Sequence, residues 1–422
     1  MTNTKHAARQ AASKIATMAL AIVLMLAFAL PTAAPALAAE SAGSAQDPTL
    51  AIQDCISGIQ TDLGVKSTNE IFGSDKLTVG DSTSDWLAFD LTRAGAGDGA
   101  SAYLDALKTY VTQAYSTDRK LDRSKSTVWD RMAIVVKALG GDPTSFGTSS
   151  DGGKIDLVAD GTYNWSQTSD LGAQGSNAYI YALTAINATG VQVPDDAKYT
   201  VDAIIDSLLG YQGSDGGFGL TQGSSGVDIT AMALAALAPY QDGRSKVVDA
   251  IDKGLAYLSN VQGADGTFAS DGVVTSESSS MVIIALCSLN IDPQTDSRFV
   301  KQSGNAYSAL LSHKRADGTF SHNDADDMTQ VEYMATEQAM RALLAYSELN
   351  AGGDGNVYTC DITLNVASAS GSAAQSPIPW IIGGVLVGVV VVIVLVVAST
   401  RKAHKRKDAE QPADSSDEHG EQ

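Results

Sequence analysis

The chain has 422 residues, 44% of them hydrophobic, and 48 acidic against 28 basic side chains give a formal net charge of −20. That balance argues against a nucleic-acid-binding protein, whose affinity comes largely from Lys and Arg set against phosphate. Three cysteines are too few for a disulfide scaffold, and a region of this length can bury a core without one.

Lys5, Arg9 and Lys14 precede an apolar run from Ile15 to Leu30, then Pro31, Pro35 and the small-residue stretch ALAAE. Residues 1–39 read as a secretory signal and are set aside from fold reasoning.

Residues 40–350 read as an extracellular domain built from repeats. DWLAFDLTRA (85–94), DRMAIVVKAL (130–139), NAYIYALTAI (177–186), DITAMALAAL (228–237), ESSSMVIIAL (277–286) and EQAMRALLAY (337–346) share one template: an acid or amide, then an apolar helix. Between them lie stripes with a wet side, such as Val201, Ile204, Ile205, Leu208 and Leu209, or Val248, Ile251, Leu255 and Leu258, or Leu104, Leu107 and Val111. Six amphipathic helices alternating with six apolar ones predict an all-α fold. Two concentric rings, an (α/α)6 toroid with the apolar set inside, satisfy the pattern best. An open solenoid of stacked helix pairs is the alternative.

Residues 351–379 read as a stalk, ending in the small, uncharged stretch ASASGSAAQSPIP. The uncharged run from Trp380 to Ala398 has the length of a bilayer-spanning helix, which sets a membrane segment at 380–399. RKAHKRK follows it, so the tail at 400–422 is expected in the cytoplasm and the repeats outside the plasma membrane, in a single-pass topology. Cys287 falls inside an apolar helix and is expected as a buried small hydrophobe. Cys55 and Cys360 sit near the two ends of the repeats, where ring closure would bring them together as a disulfide; two free thiols are the alternative.

QGSDGGFG (212–219), QGADGTFA (262–269) and KRADGTFS (314–321) recur where amphipathic helices end, the third with Lys314 in place of Gln. The Asp-Gly pair permits a tight turn and the aromatic anchors it. Over residues 47 to 350 the chain resembles the prenyltransferase and squalene cyclase toroids, whose repeats carry Q-x-x-D-G-x-F/W turns, and the helical domain of the transcobalamin and intrinsic-factor proteins. It looks most like secreted bacterial surface proteins that contain this repeat.

The resemblance implies chemistry that can be compared residue by residue. Triterpene cyclases protonate substrate with the middle acid of a D-x-D-D-T-A motif; Asp228 matches it, but Gly226 and Ile229 replace its neighbours. An acid of that strength needs an organised network, so no catalytic residue is expected. Protein prenyltransferases hold zinc with Asp, Cys and His, and TSESSSMV and YMATEQAM offer neither Cys nor His. His313 and His322, near Asp324 and Asp326, read as exposed turn residues, so no metal site is expected.

The acids and amides Asp85, Asp130, Asn177, Asp228, Glu277 and Glu337 open the six apolar helices, with Ser84, Ser176, Ser276 or Thr336 before four of them. They read as helix caps and first-turn acids. In a closed ring they would also surround the mouth of a central cavity, with Trp86, Trp129 and Tyr179 beside them. The expected function is therefore a membrane-anchored surface module that binds an extracellular ligand or protein at that rim. Cobalamin is the one cofactor the resemblance suggests; its relatives clamp it with a further β domain, and only VYTCDITLNV follows the last helix here. A terpenoid cyclase or prenyltransferase with altered motifs is the third reading.

Overall fold

The computed structural model describes residues 46–117, 120–325 and 330–359. The signal, most of the stalk, Cys360, the apolar segment Trp380–Ala398 and the tail lie outside the described residues. No helix among the described residues is long and apolar enough to cross a membrane. Apart from one hairpin of two-residue antiparallel strands, β1 (Ala269–Ser270) and β2 (Val273–Val274), the architecture is all-α.

Six helices are buried over most of their surface: α3 (Ser82–Arg93), α5 (Thr127–Ala138), α7 (Ser176–Thr189), α9 (Val227–Leu237), α11 (Ser276–Ser288) and α13 (Tyr333–Asn350). They are the six apolar segments of the repeat. Each packs on its successor, and α13 packs on α11 and also on α3, so the succession returns to its start. Against them pack amphipathic helices: α1 (Pro48–Leu63), α4 (Ala100–Tyr115), α8 (Val201–Leu209), α10 (Ser245–Val261) and α12 (Ala306–Ser312). The amphipathic layer is less regular than its periodicity predicts. One member, α6 (Leu157–Gly161), is a five-residue helix inside a Gly- and Asp-rich stretch, and a short α2 (Thr68–Phe72) precedes α3. In α10 the buried stripe starts at Val247, whereas Val248 is 38% exposed, one position from where the pattern placed it.

The three Asp-Gly turns show how neighbouring hairpins are joined. Asp215, Asp265 and Asp317 each accept a hydrogen bond from the backbone N–H two residues on, and Phe218, Phe268 and Phe320 are fully buried. Gln212 then donates to the carbonyl of Ala250 on α10 (2.8 Å), and Gln262 to that of Phe299 ahead of α12 (3.0 Å). Each turn therefore ties itself to the next amphipathic helix along the chain. After the third turn no further one follows, and its partner is α1, the first helix: Lys314 donates to Asp54 and to Gln46. The Gln-to-Lys departure is thus accounted for by its partner, a carboxylate where the other two turns meet a carbonyl.

The turn glycines repeat the relation. Gly216, Gly266 and Gly318 have φ of 90°, 91° and 92°, and a Cβ on each would lie 2.6, 2.5 and 2.3 Å from the carbonyl oxygens of Lys253, Asn305 and Asp54. After α13 the chain continues into the same core. Gly355 meets the Cys287 carbonyl near the end of α11, and Val357 is fully buried. Residues 353–359, which the composition assigned to the stalk, thus pack on the helical unit. Cys55 and Cys287 are buried and form no disulfide among the described residues, burial pushing the Cys55 thiol up to about 12; the pairing of Cys55 with Cys360 falls outside the described residues.

Gly318→Ala is expected to destabilise the protein well beyond Gly352→Ala. Gly352 has a similar φ of 84° with nothing within 4 Å of its missing Cβ. Both substitutions carry a left-handed backbone penalty of roughly 1–2 kcal/mol, and overpacking adds about 1–3 kcal/mol at Gly318 alone. Urea denaturation midpoints of the two variants measure the difference.

Candidate functional site

Helix register decides which polar residues meet. Counting from the first residue of each helix, Asn177, Asp228 and Glu277 are second, Asp85 and Asp130 fourth, and Glu337 fifth. A helix turns about 100° per residue, so these six side chains point in different directions and do not form one rim. Ser84, Ser176, Ser276 and Thr336 lie inside the helices and are not their caps. The capping bonds come instead from Asp81 to the Ser84 N–H and from Thr275 to the Ser278 N–H.

A cavity of about 610 Å³ lies among the buried helices, and all six contribute to its wall. Its lining residues descend each helix on one face: Asp228, Ile229, Met232 and Ala235 on α9; Glu277, Met281 and Ile284 on α11; Glu337, Gln338 and Arg341 on α13. Ile134, Ile180, Tyr181 and Trp86 complete the apolar wall. Near the helix N-termini, Asp271 and Val273 of the β1–β2 hairpin overhang it, the turn being made with positive φ at Asp271 and Gly272. Tyr358 lines the cavity and packs on Trp86 (ring centroids 6.1 Å) and Phe89 (6.3 Å). Its neighbour Gly355 touches Cys287, ten residues and about 15 Å along α11 from Glu277. The C-terminal segment therefore runs from the far end of α11 at Gly355 to the cavity wall beside Trp86 at Tyr358.

Arg341 is the central charge. It is 3% exposed and bonds Asp90 of α3 through two nitrogens (3.1 and 2.9 Å), and it also donates to Glu337 one turn earlier. Its guanidinium stacks on the Trp86 ring at 4.2 Å. Burial would lower its affinity for a proton, but Asp90 and Glu337 hold it up. Burial raises both carboxyls against the pull of Arg341, Asp90 to about 7 and Glu337 to about 8. One guanidinium thus serves two buried carboxyls, whose titrations are linked. At the mouth, the His322 imidazole Nδ1 lies 3.0 Å from both oxygens of Glu277, and Ser276 donates to the same carboxylate. Asp228 makes no side-chain hydrogen bond or ion pair among the described residues, and its Oδ1 is shut off from solvent.

The structure thus brings Trp86, Asp228, Glu277 and Glu337 to the cavity and takes the other predicted rim residues elsewhere. Asp85 turns outward to Tyr103 (2.7 Å) and Arg131 (3.0 Å), joining α3 to α4 and α5. Burial raises its carboxyl, opposed by Arg131 and Tyr103. Trp129 packs edge-on against Trp165 and donates to Tyr115. Tyr179 pairs with Tyr211 and Asp170. Asn177 leaves its buried Oδ1 without a partner and is not part of the cavity wall. Asp130 is fully buried with neither oxygen bonded, behind Gly161, and burial alone pushes it well above the usual carboxylate range. His313, expected in an exposed turn, is 4% exposed. Among the described residues no group of three His, Cys, Asp or Glu is placed to hold a metal.

Arg341, Asp90, His322, Met232, Met281 and Tyr358 are the contributors that the rim pattern missed. For two of them a signal exists: Asp90 and Arg341 are lone charges within apolar helical runs, where unpaired burial is unfavourable. No protein-family model matches the chain, and no curated protein matches it.

The Asp130 carboxyl predicts a pH dependence. Its folded pKa lies above the unfolded value, so folding is unpenalised below the unfolded pKa near 4. Stability is lost as pH rises above it, by about 1.4 kcal/mol per unit until the folded group also ionises. Asp130→Asn is expected to flatten the fall in unfolding free energy between pH 4 and 7, measured by urea titrations across that range.

Proposed function

We propose that the chain is a membrane-anchored cell-surface protein whose helical region is an (α/α)6 toroid of the kind its turn motifs resemble, with the central cavity as a ligand-binding site. The carrying observation is the cavity of about 610 Å³ to which all six buried helices contribute, apolar along its depth and polar at one end. That is the size and character of small-molecule sites, which combine an apolar wall with a few orienting polar groups. The return of α13 onto α3, and the attachment of the third turn to α1, support the closed toroid over an open solenoid. The signal, the apolar segment Trp380–Ala398 and the basic cluster after it support a surface location with the repeats outside.

The geometry favours binding over the enzymatic readings. Asp228, the one residue matching the cyclase acid, makes no side-chain hydrogen bond among the described residues that would orient or activate it. A corrinoid with its nucleotide loop exceeds the cavity and would have to lie across the mouth, beneath a partner domain.

Nile red, a neutral apolar fluorophore, is expected to bind the full chain in nanodiscs with a blue-shifted emission above that of empty nanodiscs. Met232→Trp, which fills the cavity, should weaken this binding at least tenfold, whereas Leu50→Trp, on a 52% exposed site of α1, should leave it unchanged. Equal binding to both variants would remove the cavity as the site.

The topology has its own test. Protease added to intact cells should cleave within residues 40–379 while an epitope placed after residue 422 stays protected; the reverse pattern would overturn the orientation.

A further inference from the structure

The cavity wall carries an excess of carboxylates that the protein's own cations do not match. Among the described lining residues, Asp228, Asp271, Glu277 and Glu337 are acidic, and only Arg341 and His322 can carry positive charge. Arg341 is already committed to Asp90 through two bonds. Glu337, 2% exposed and part of the cavity wall, has one oxygen on that same guanidinium, and its other oxygen makes no hydrogen bond among the described residues. His322 is held by Glu277. Asp228 has no side-chain hydrogen-bond or ion-pair partner among the described residues, and its Oδ1 is out of reach of bulk water. Acceptors without donors therefore sit at two levels: Asp228 at the mouth of α9, and Glu337 one turn deeper on α13. Below and between them the wall is Ile229, Met232, Met281, Ile284 and Ile180.

We propose that this cavity selects an organic ammonium ion on an apolar body, the cationic N–H groups meeting Asp228 and Glu337 and the body filling the apolar depth. The proposal rests on the reading of the cavity as a ligand site and specifies its occupant. An alkyl carboxylate or phosphate of the same shape would place its charge among acids. The partial positive charges of the helix N-termini would favour such an anion, but the first-turn acids Asp228 and Glu277 oppose it at α9 and α11. A hydrated divalent cation would leave the apolar depth unfilled.

Proton release accompanies the binding. Glu337 is faced by Arg341 on its own helix, Asp90 on α3, Glu277 on α11, Tyr181 on α7 and Tyr358 of the C-terminal segment. Burial raises its carboxyl, and a cation entering beside it opposes that rise and favours release of its proton. Ammonium affinity therefore increases as pH rises toward 8, whereas that of a neutral analogue does not.

Three probes with one rigid body separate the outcomes: 1-adamantylamine, 1-adamantanol and 1-adamantanecarboxylate, titrated calorimetrically into the full chain in nanodiscs with empty nanodiscs as blank. The ammonium should bind at least about tenfold more tightly than the alcohol, and more tightly at pH 8 than at pH 6.5, with the carboxylate weakest. Asp228→Asn, which breaks no existing bond, should bring the ammonium close to the alcohol, and Glu337→Gln should remove the pH dependence. Alcohol or carboxylate binding as tightly as the ammonium, with Nile red still displaced, would overturn the charge selection and leave the cavity reading intact. Binding of none of the three, together with Nile red insensitive to Met232→Trp, would overturn both.

Discussion

The packing of the helical unit depends on one constraint: α13, at the end of the repeats, must meet α3, about 250 residues earlier, as well as its neighbour α11. Apolar burial supplies most of the driving force for such packing but does not distinguish one alanine- and leucine-rich face from another. Two buried ion pairs do. Arg341 of α13 bonds Asp90 of α3, and Arg93 of α3 meets Glu348 of α13 at 3.4 Å, with side chains no more than 5% exposed. Buried ion pairs add little net stability relative to apolar packing, while an unpaired buried charge is penalised by several kcal/mol. A helix out of place or out of register would strip Asp90, Arg93 and Glu348 of these cross-helix partners and leave Arg341 with only Glu337 of its own helix. The closing contact is thereby selected against its alternatives.

The amphipathic layer closes by another device at the same seam. Two Asp-Gly turns join to their neighbours through a neutral Gln–carbonyl bond, whereas the third joins α1 through Lys314 and Asp54. The glycine in each turn allows backbone to pack on backbone, which is why that position admits no Cβ. One motif thus performs the same mechanical task three times, and the Lys314 that replaces Gln in the third copy marks where the last turn meets the first helix.

The all-α class, the six buried helices and most of their amphipathic partners were legible because they rest on periodicity, which burial enforces residue by residue. The site was less so. Its reading aligned the helices by their acids, whereas in the structure α9 and α13 correspond through a threonine. Thr230 accepts the Phe218 N–H twelve residues away, and Thr336 accepts the Phe320 N–H sixteen residues away. The last turn-to-helix loop is therefore four residues longer, which hid the equivalence of Asp228 with Met334 and moved Glu337 one turn inward. Asp85 and Asp130 were misplaced for a related reason. An acid at the fourth helical position points to a different side from one at the second, and only the helix start, the least certain feature of any periodic pattern, tells them apart.

Buried acids are unfavourable, and the two that are poorly compensated differ in what could relieve them. Asp130 is enclosed between α5 and Gly161 with no bonding partner among the described residues, and burial shifts it toward its neutral form. Glu337 shares a guanidinium that Asp90 already neutralises, but it borders open space. A neutral glutamine there could still accept from Arg341 without raising a charge imbalance, and an alanine would merely enlarge the cavity. An ionisable group in that position is favourable when something positive enters the space beside it. The cavity and the excess of acid within it then have a common explanation, in which a cation bound among the acids supplies the charge that the folded chain lacks.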